Sequence, residues 1–173
     1  MPFGVYTSTL IDDKERCLGI MKKMEEEYKT GSEDYFIKVL KEESSLVLRV
    51  HAVTILAELG RERSVEALSD VLLNDPDPLV RHEAAFSMGQ IGLSSANKAL
   101  IQAMLHDPDA IVRHESAAAL GSIGSQSSRT FLEQALGDPD EIVKNSAATS
   151  LFNLEFLRNN PEYQQVQDRA PRP

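Results

Sequence analysis

The sequence predicts an all-α protein: a right-handed α-solenoid of about four helical hairpins with an N-terminal capping helix. Three observations predict this fold. A segment recurs every 31–32 residues, apolar residues recur within each copy at helical spacing, and turn-forming residues stand at fixed positions around them. Because one hairpin cannot bury its apolar face alone, stacked copies share a continuous core. We expect a capping helix region at residues 1–33, the repeats at 34–158 and a disordered tail at 159–173.

The repeat is clearest in three segments that begin with Asp-Pro-Asp. They are Asp75–Ala85, Asp107–Ala117 and Asp138–Ala148, and a fainter copy begins at Leu46. In each clear copy the second aspartate is a good helix N-cap, and Pro78 suits the first helical position. The motif therefore predicts where each long helix begins.

Apolar spacing and glycine define the rest of each hairpin. The apolar positions of the two central long helices are Leu79, Val80, Ala84, Phe86 (or Ala85), Met88 and Ile91, and then Ile111, Val112, Ala117, Leu120 and Ile123. Gly60, Gly92 and Gly124 follow the last apolar residues, where a left-handed cap ends a helix. Shorter apolar patterns at 65–72 and 99–105 predict the partner helices, each of which should run to the next Asp-Pro.

Composition limits the partners and the compartment. The formal net charge of −9 argues against a nucleic-acid partner, which would require a basic surface. The single cysteine, Cys17, excludes a disulfide framework and fits a reducing compartment. No run approaches the roughly 20 apolar residues of a membrane span, and the first residues do not resemble a signal peptide. We expect a cytoplasmic protein with no membrane partner.

Two central copies carry a His-Glu pair at the same position, His82-Glu83 and His114-Glu115. With aspartate N-caps, both histidines fall in the second helical turn. Neighbouring helices lie roughly 8–10 Å apart, so equivalent side chains can converge between them. Imidazole nitrogen and carboxylate oxygen bind metals at about 2 Å and form the ligand sets of non-haem iron and catalytic zinc. The spacing therefore predicts a metal site with His82, His114 and one glutamate as ligands.

The same pairs also fit a plainer interpretation. Repeats arise by duplication, and glutamate is favoured early in any helix, so Arg-His-Glu could be only a solvated ridge. However, the pair is absent from the outer copies, where Val50-His51 and Asn145-Ser146 stand instead. We expect His51 to occupy the glutamate position, His106 to lie in a solvent-facing loop, and Cys17 to pack within the capping helix.

The doubled His-Glu pattern resembles deoxyhypusine hydroxylase, a family among the HEAT-like repeat proteins of the phycobilin-lyase type. The resemblance rests on Arg81–Gly92 and Val112–Gly124 and covers about residues 36–158. In that family a non-haem di-iron centre activates oxygen to hydroxylate deoxyhypusine, a modified lysine on a translation factor. By position, the resemblance implies that the iron ligands are His82, His114 and Glu115, and that Glu83 is the catalytic carboxylate that engages the basic substrate.

The chain departs from that family because it contains one of the enzyme's two halves. A complete di-iron site would require a homodimer in which each chain supplies three ligands. The first hypothesis is thus a deoxyhypusine-hydroxylase-like monooxygenase that uses iron and acts on a basic protein such as a translation factor. The second is a non-catalytic HEAT-repeat scaffold for protein–protein interaction, with no cofactor. The low aromatic content of 6% disfavours a third, a chromophore-handling lyase.

Overall fold

The computed structural model describes residues 6–166, with the side chains of residues 14–163. Within that range the chain forms nine α-helices and no β-strand, so the all-α prediction is confirmed. The helices are α1 Tyr6–Tyr28, α2 Asp34–Glu42, α3 Leu46–Leu59, α4 Glu62–Asn74, α5 Pro78–Ile91, α6 Asn97–His106, α7 Ala110–Ile123, α8 Arg129–Ala135 and α9 Glu141–Asn159. None of the described helices has the length and apolar character needed to cross a membrane.

The predicted caps begin and end the long helices. The side chains of Asp77 and Asp109 accept hydrogen bonds from the backbone N–H two residues later, both at 2.9 Å, and Asp140 does the same at 3.0 Å. These bonds satisfy N–H groups that the first helical turn leaves unpaired. At the other end, Gly92 and Gly124 adopt φ values of 76° and 73°, the left-handed conformation that glycine adopts without strain.

The helices form two layers that share one core. Helices α3, α5, α7 and α9 pack side by side in one layer, α4, α6 and α8 pack in the other, and α2 packs on α3. Helix α1 contacts α2 and α3, which places it on the first hairpin as a cap. Cys17 is half-buried there, with Sγ 3.6 Å from the Ser45 hydroxyl oxygen. The largest fully buried side chains include Phe36, Leu48, Leu56, Leu68, Leu72, Met88, Leu100, Met104, Leu120, Leu132 and Leu154.

Helices α5, α7 and α9 approach one another closely and in register. A Cβ added to Gly89 would lie 2.9 Å from the Cα of Ala119, and one added to Gly121 would lie 2.9 Å from the Cα of Ser150. Such contacts are possible only because these two positions carry no side chain. In addition, the Asn153 amide donates to the Gly121 carbonyl at 2.8 Å. Equivalent turns of neighbouring copies therefore lie beside each other.

A ladder of three arginine–aspartate pairs joins consecutive copies where the long helices begin. In each pair the guanidinium donates two hydrogen bonds of 2.8–3.2 Å to the carboxylate, and the side chains are only 6–13% exposed. We call these pairs the Arg–Asp ladder: Arg49–Asp75, Arg81–Asp107 and Arg113–Asp138. Bonding to Asp107 raises the pKa of Arg81, and bonding to Arg113 lowers the pKa of Asp138. The ladder stops at the fourth copy.

The chain continues past the repeats without another hairpin. Helix α9 ends at Asn159, and residues Pro161–Val166 form a 3-10 helix. The ring centroids of Phe156 in α9 and Tyr163 in the 3-10 helix lie 5.5 Å apart, so this turn packs back on the last repeat. Of the tail predicted to be disordered, residues 161–166 thus contain regular structure, and residues 167–173 lie outside the described residues.

Candidate metal site

The two predicted histidine ligands occupy matching places in adjacent helices. His82 is the fifth residue of α5, and His114 is the fifth residue of α7. Each follows an arginine of the Arg–Asp ladder, Arg81 or Arg113, whose bonds fix the first turns of the helices relative to each other. The sequence prediction that both histidines lie in the second turn, side by side, is therefore correct.

The Glu115 carboxylate is the point on which the two histidines converge. Its Oε2 atom lies 3.3 Å from the His82 Nε2 atom and 3.9 Å from the His114 Nε2 atom. The three side chains are 14–28% exposed, so they sit at the surface without being fully solvated. Two donors at 2.0–2.2 Å from one ion can be up to about 4.4 Å apart, and a single ion could span either separation.

The donor atoms at this site suit a metal ion, but within the described residues of one chain their arrangement does not complete a metal site. Imidazole nitrogen and carboxylate oxygen fit iron or zinc. However, across the described part of the chain, no group of three or more histidine, cysteine, aspartate and glutamate side chains is arranged so that it could hold a metal ion. His82 and His114 therefore each form a close donor pair with Glu115, but the described residues of one chain do not form a complete set of metal ligands. Metal binding stays a prediction.

The second ring nitrogens of the two histidines have different surroundings. The Nδ1 atom of His114 lies 2.5 Å from the Ser146 hydroxyl oxygen in α9. In contrast, the Nδ1 atom of His82 is buried and has no hydrogen-bond partner among the described residues. Sequence reasoning did not select Ser146 as a site residue. The only sequence feature that could have identified Ser146 is its position in the repeat, which is equivalent to that of Glu83 and Glu115 in the preceding copies.

Glu83 and the remaining histidines lie apart from this convergence. Glu83 is half-buried and makes no hydrogen bond or ion pair with any described side chain. His51 is half-buried, with its Nε2 atom 3.8 Å from a Glu25 carboxylate oxygen of the capping helix. His106 is exposed as expected, but it is the last residue of α6 rather than part of a loop, because the helix continues to the Asp-Pro-Asp motif.

Apolar side chains flank the histidines on the same helix faces. Leu79 and Phe86, one turn before and one turn after His82, are 51% and 43% exposed. Ile111, one turn before His114, is 48% exposed. The helical spacing had grouped these residues with buried positions such as Val80. That grouping is wrong for Leu79 and Ile111, and of the two alternatives Phe86 and Ala85 it is Ala85 that is buried, because the face that carries the histidines points away from the core.

A family model of HEAT repeats matches residues 33–114 and 65–152, which together make up more than half of the chain. The chain belongs to the HEAT-repeat family. This assignment agrees with the two-layer stack of hairpins and with the period of the caps. No curated protein sequence matches the chain significantly.

Solved structures of other proteins resemble the chain, and two of them are compared with it in turn. The structure of human deoxyhypusine hydroxylase in complex with glycerol aligns with a TM-score of 0.68 and 28% identity, covering 72% of this chain and 44% of that one. The complex of CpcE and CpcF of phycocyanin lyase from Nostoc sp. PCC7120 aligns with a TM-score of 0.49 and 20% identity, covering 78% and 68%. The chain thus spans less than half the length of the hydroxylase, and the predicted half-length resemblance is confirmed.

Proposed function

We propose that this protein binds iron through His82, His114 and Glu115 and acts, as a homodimer, as a monooxygenase on a lysine-derived side chain. The observation that carries the proposal is the convergence of two histidine Nε2 atoms on one carboxylate oxygen, at 3.3 and 3.9 Å. The 28% identity to deoxyhypusine hydroxylase supports the same assignment. Bound iron would supply oxygen activation.

The residues of this chain would bind the metal and place the substrate. Each neutral imidazole offers one nitrogen lone pair, and ionised Glu115 offers a charged oxygen between them. Glu83 makes no hydrogen bond or ion pair with a described side chain, so its charge is available to a cationic group. A substrate amine paired with Glu83 would be bound on α5, the helix that also carries His82. Such positioning would make the reaction of the bound side chain effectively intramolecular.

Two observations support the homodimer in this proposal. The chain covers 44% of the hydroxylase, and its described residues hold no closed set of three metal ligands. A two-fold axis would bring a second copy of the same three donors to face the first. Two chains could therefore complete ligand sets that one chain leaves open.

Metal content and molecular mass, measured on the same sample, test this proposal. We expect stoichiometric iron and a dimeric mass for the purified protein, and loss of metal in His82→Ala and in His114→Ala. His106→Ala is a matched control, since this exposed histidine lies at the end of α6 and outside the site. A metal-free protein, with no stoichiometric iron, zinc or manganese, would contradict the proposal. A monomer that retains one metal would contradict the di-iron form.

The alternative function is a scaffold that binds another protein through the same face. The exposed apolar side chains of Leu79, Phe86 and Ile111 favour it, because such groups commonly mark interaction surfaces. In that case Leu79→Glu should weaken capture of a partner, while His82→Ala and Glu83→Ala should leave capture and stability nearly unchanged. The opposite pattern, with capture lost only in the His82 and Glu83 variants, would favour the metal site.

A further inference from the structure

We propose that Ser146 is a positioning residue that fixes the ring of His114, so that the Nε2 atom of His114 is the one presented to Glu115. This inference rests on the proposed function for its purpose, although the contact itself does not depend on a metal. The Ser146 hydroxyl oxygen lies 2.5 Å from the Nδ1 atom of His114, which is short for a hydrogen bond to nitrogen. A bond at Nδ1 turns the opposite edge of the ring toward the Glu115 carboxylate.

The parallel register of α7 and α9 creates this contact. In two pairs of adjacent long helices, α5–α7 and α7–α9, the histidine position of one copy lies beside the glutamate position of the next. His82 therefore meets Glu115 through its Nε2 atom at 3.3 Å, and His114 meets Ser146 through its Nδ1 atom. Serine is too short to reach the outer edge of the ring, where a glutamate at this position would compete with Glu115. The fourth copy thus supports His114 instead of adding a further carboxylate.

The direction of the hydrogen bond between His114 and Ser146 decides which ring nitrogen of His114 carries the lone pair. A serine hydroxyl can both donate and accept a hydrogen bond, so the Ser146 oxygen can accept a proton from Nδ1–H of His114. With the proton on Nδ1, a neutral imidazole carries its lone pair on Nε2, the atom 3.9 Å from Glu115. Metal-ligating histidines usually donate their other ring N–H to a neighbouring acceptor in this way.

The protonated nitrogen can be observed directly by NMR. The chain contains 4 histidines, so ¹⁵N signals can be assigned with single His→Gln variants. The metal-free protein should be measured about two pH units above the ordinary histidine pKa of about 6.5. We expect His114 to carry its proton on Nδ1 in the unmodified chain and to shift toward protonation on Nε2 in Ser146→Ala. His82, whose Nδ1 atom has no hydrogen-bond partner in the described part of the chain, serves as the internal reference and should not change.

Two further variants distinguish loss of the bond between Ser146 and His114 from general destabilisation of the protein. Ser146→Thr keeps a hydroxyl and should preserve the His114 signal. Asn145→Ala changes the exposed preceding residue and should have no effect. Thermal unfolding shows whether each variant is folded, so an altered His114 signal in a stable protein reports the lost bond. The inference is overturned if His114 carries its proton on Nε2 in the unmodified chain, or if Ser146→Ala leaves its signal unchanged.

Metal titration distinguishes this inference from the proposed function. If both are correct, Ser146→Ala should weaken zinc or iron binding about 10–100-fold, as loss of a supporting hydrogen bond does at other metal sites. If the His114 signal shifts but neither the unmodified chain nor the variant binds metal, the proposed function fails and the role of Ser146 stands. If the unmodified chain binds metal and Ser146→Ala binds equally well, the supporting role fails and the proposed function stands.

Discussion

Replacing Asp107 by alanine removes the central pair of the Arg–Asp ladder, which joins the two histidine-bearing helices. The Asp107 carboxylate accepts hydrogen bonds from Arg81 at 2.8 and 2.9 Å and from the backbone N–H of Asp109 at 2.9 Å. The Arg81 side chain is 11% exposed, so its charge would remain nearly buried in the variant. Only the bonds from Arg81 to the carbonyls of Asp75 and Pro76 would remain.

The expected loss follows from this burial. Removing one partner of a buried ion pair costs about 3–5 kcal/mol, since the other charge is left without compensation. Arg81 keeps a 2.9 Å bond to the Asp75 carbonyl, which favours the lower end of that range. We therefore expect Asp107→Ala to lower the free energy of unfolding by about 3 kcal/mol. The double variant Arg81→Met/Asp107→Leu should lose less, because it leaves no unpaired charge.

Urea unfolding followed by circular dichroism measures this loss as a lower midpoint with an unchanged slope. Glu42→Ala is the matched control, because Lys38–Glu42 is an ion pair at 3.7 Å whose side chains are both 64% exposed. Removing that exposed pair should cost less than about 1 kcal/mol. Equal midpoints for Asp107→Ala and Glu42→Ala would refute a structural role for the ladder.

Two further predictions concern packing and acid stability. Gly121→Ala would place its Cβ 2.9 Å from the Ser150 Cα and should lower the free energy of unfolding by about 1–3 kcal/mol, whereas Gly19→Ala, with nothing within 4 Å, should raise it slightly. Bonding to Arg113 lowers the pKa of Asp138 from its ordinary value of 3.8, so this carboxylate stabilises the fold above that pH and loses its contribution as the pH falls further. Asp138→Asn should therefore flatten the acid end of the stability curve, and an unchanged slope in pH-dependent unfolding would contradict this assignment.

Much of the fold could be predicted because the repeat makes its signals redundant. Asp77, Asp109 and Asp140 each cap a helix as expected, and Gly92 and Gly124 end helices where the apolar pattern stops. Each local preference agrees with the stacked architecture. Such agreement between local preferences and the overall fold allows the fold to be predicted from the sequence. The second helix of the hairpin runs to the next Asp-Pro as expected, so His106 ends α6, and only its assignment to a loop was wrong.

The site was only partly predictable because it depends on how neighbouring helices are offset. Spacing alone placed His82 and His114 side by side but left open which glutamate they share. The offset between α5 and α7 directs Glu115 toward His82, and no sequence periodicity encodes that offset. The Arg–Asp ladder was visible as a recurring arginine and aspartate, but the sequence does not show that each arginine reaches the aspartate of the next copy. The sequence did not identify Ser146 as a site residue, because it departs from the His-Glu pattern of the two central copies.

The metal and dimer proposals are physically linked rather than independent. One chain carries a formal net charge of −9, so two identical faces that each present Glu83 and Glu115 would repel each other. Exposed apolar groups such as Leu79 and Ile111 would favour association but cannot neutralise that charge. Divalent cations held between the chains would do so at the point where the carboxylates meet. The mass of the protein should therefore fall to that of a monomer when a chelator removes the metal, and a dimer that persists without metal would separate the two proposals.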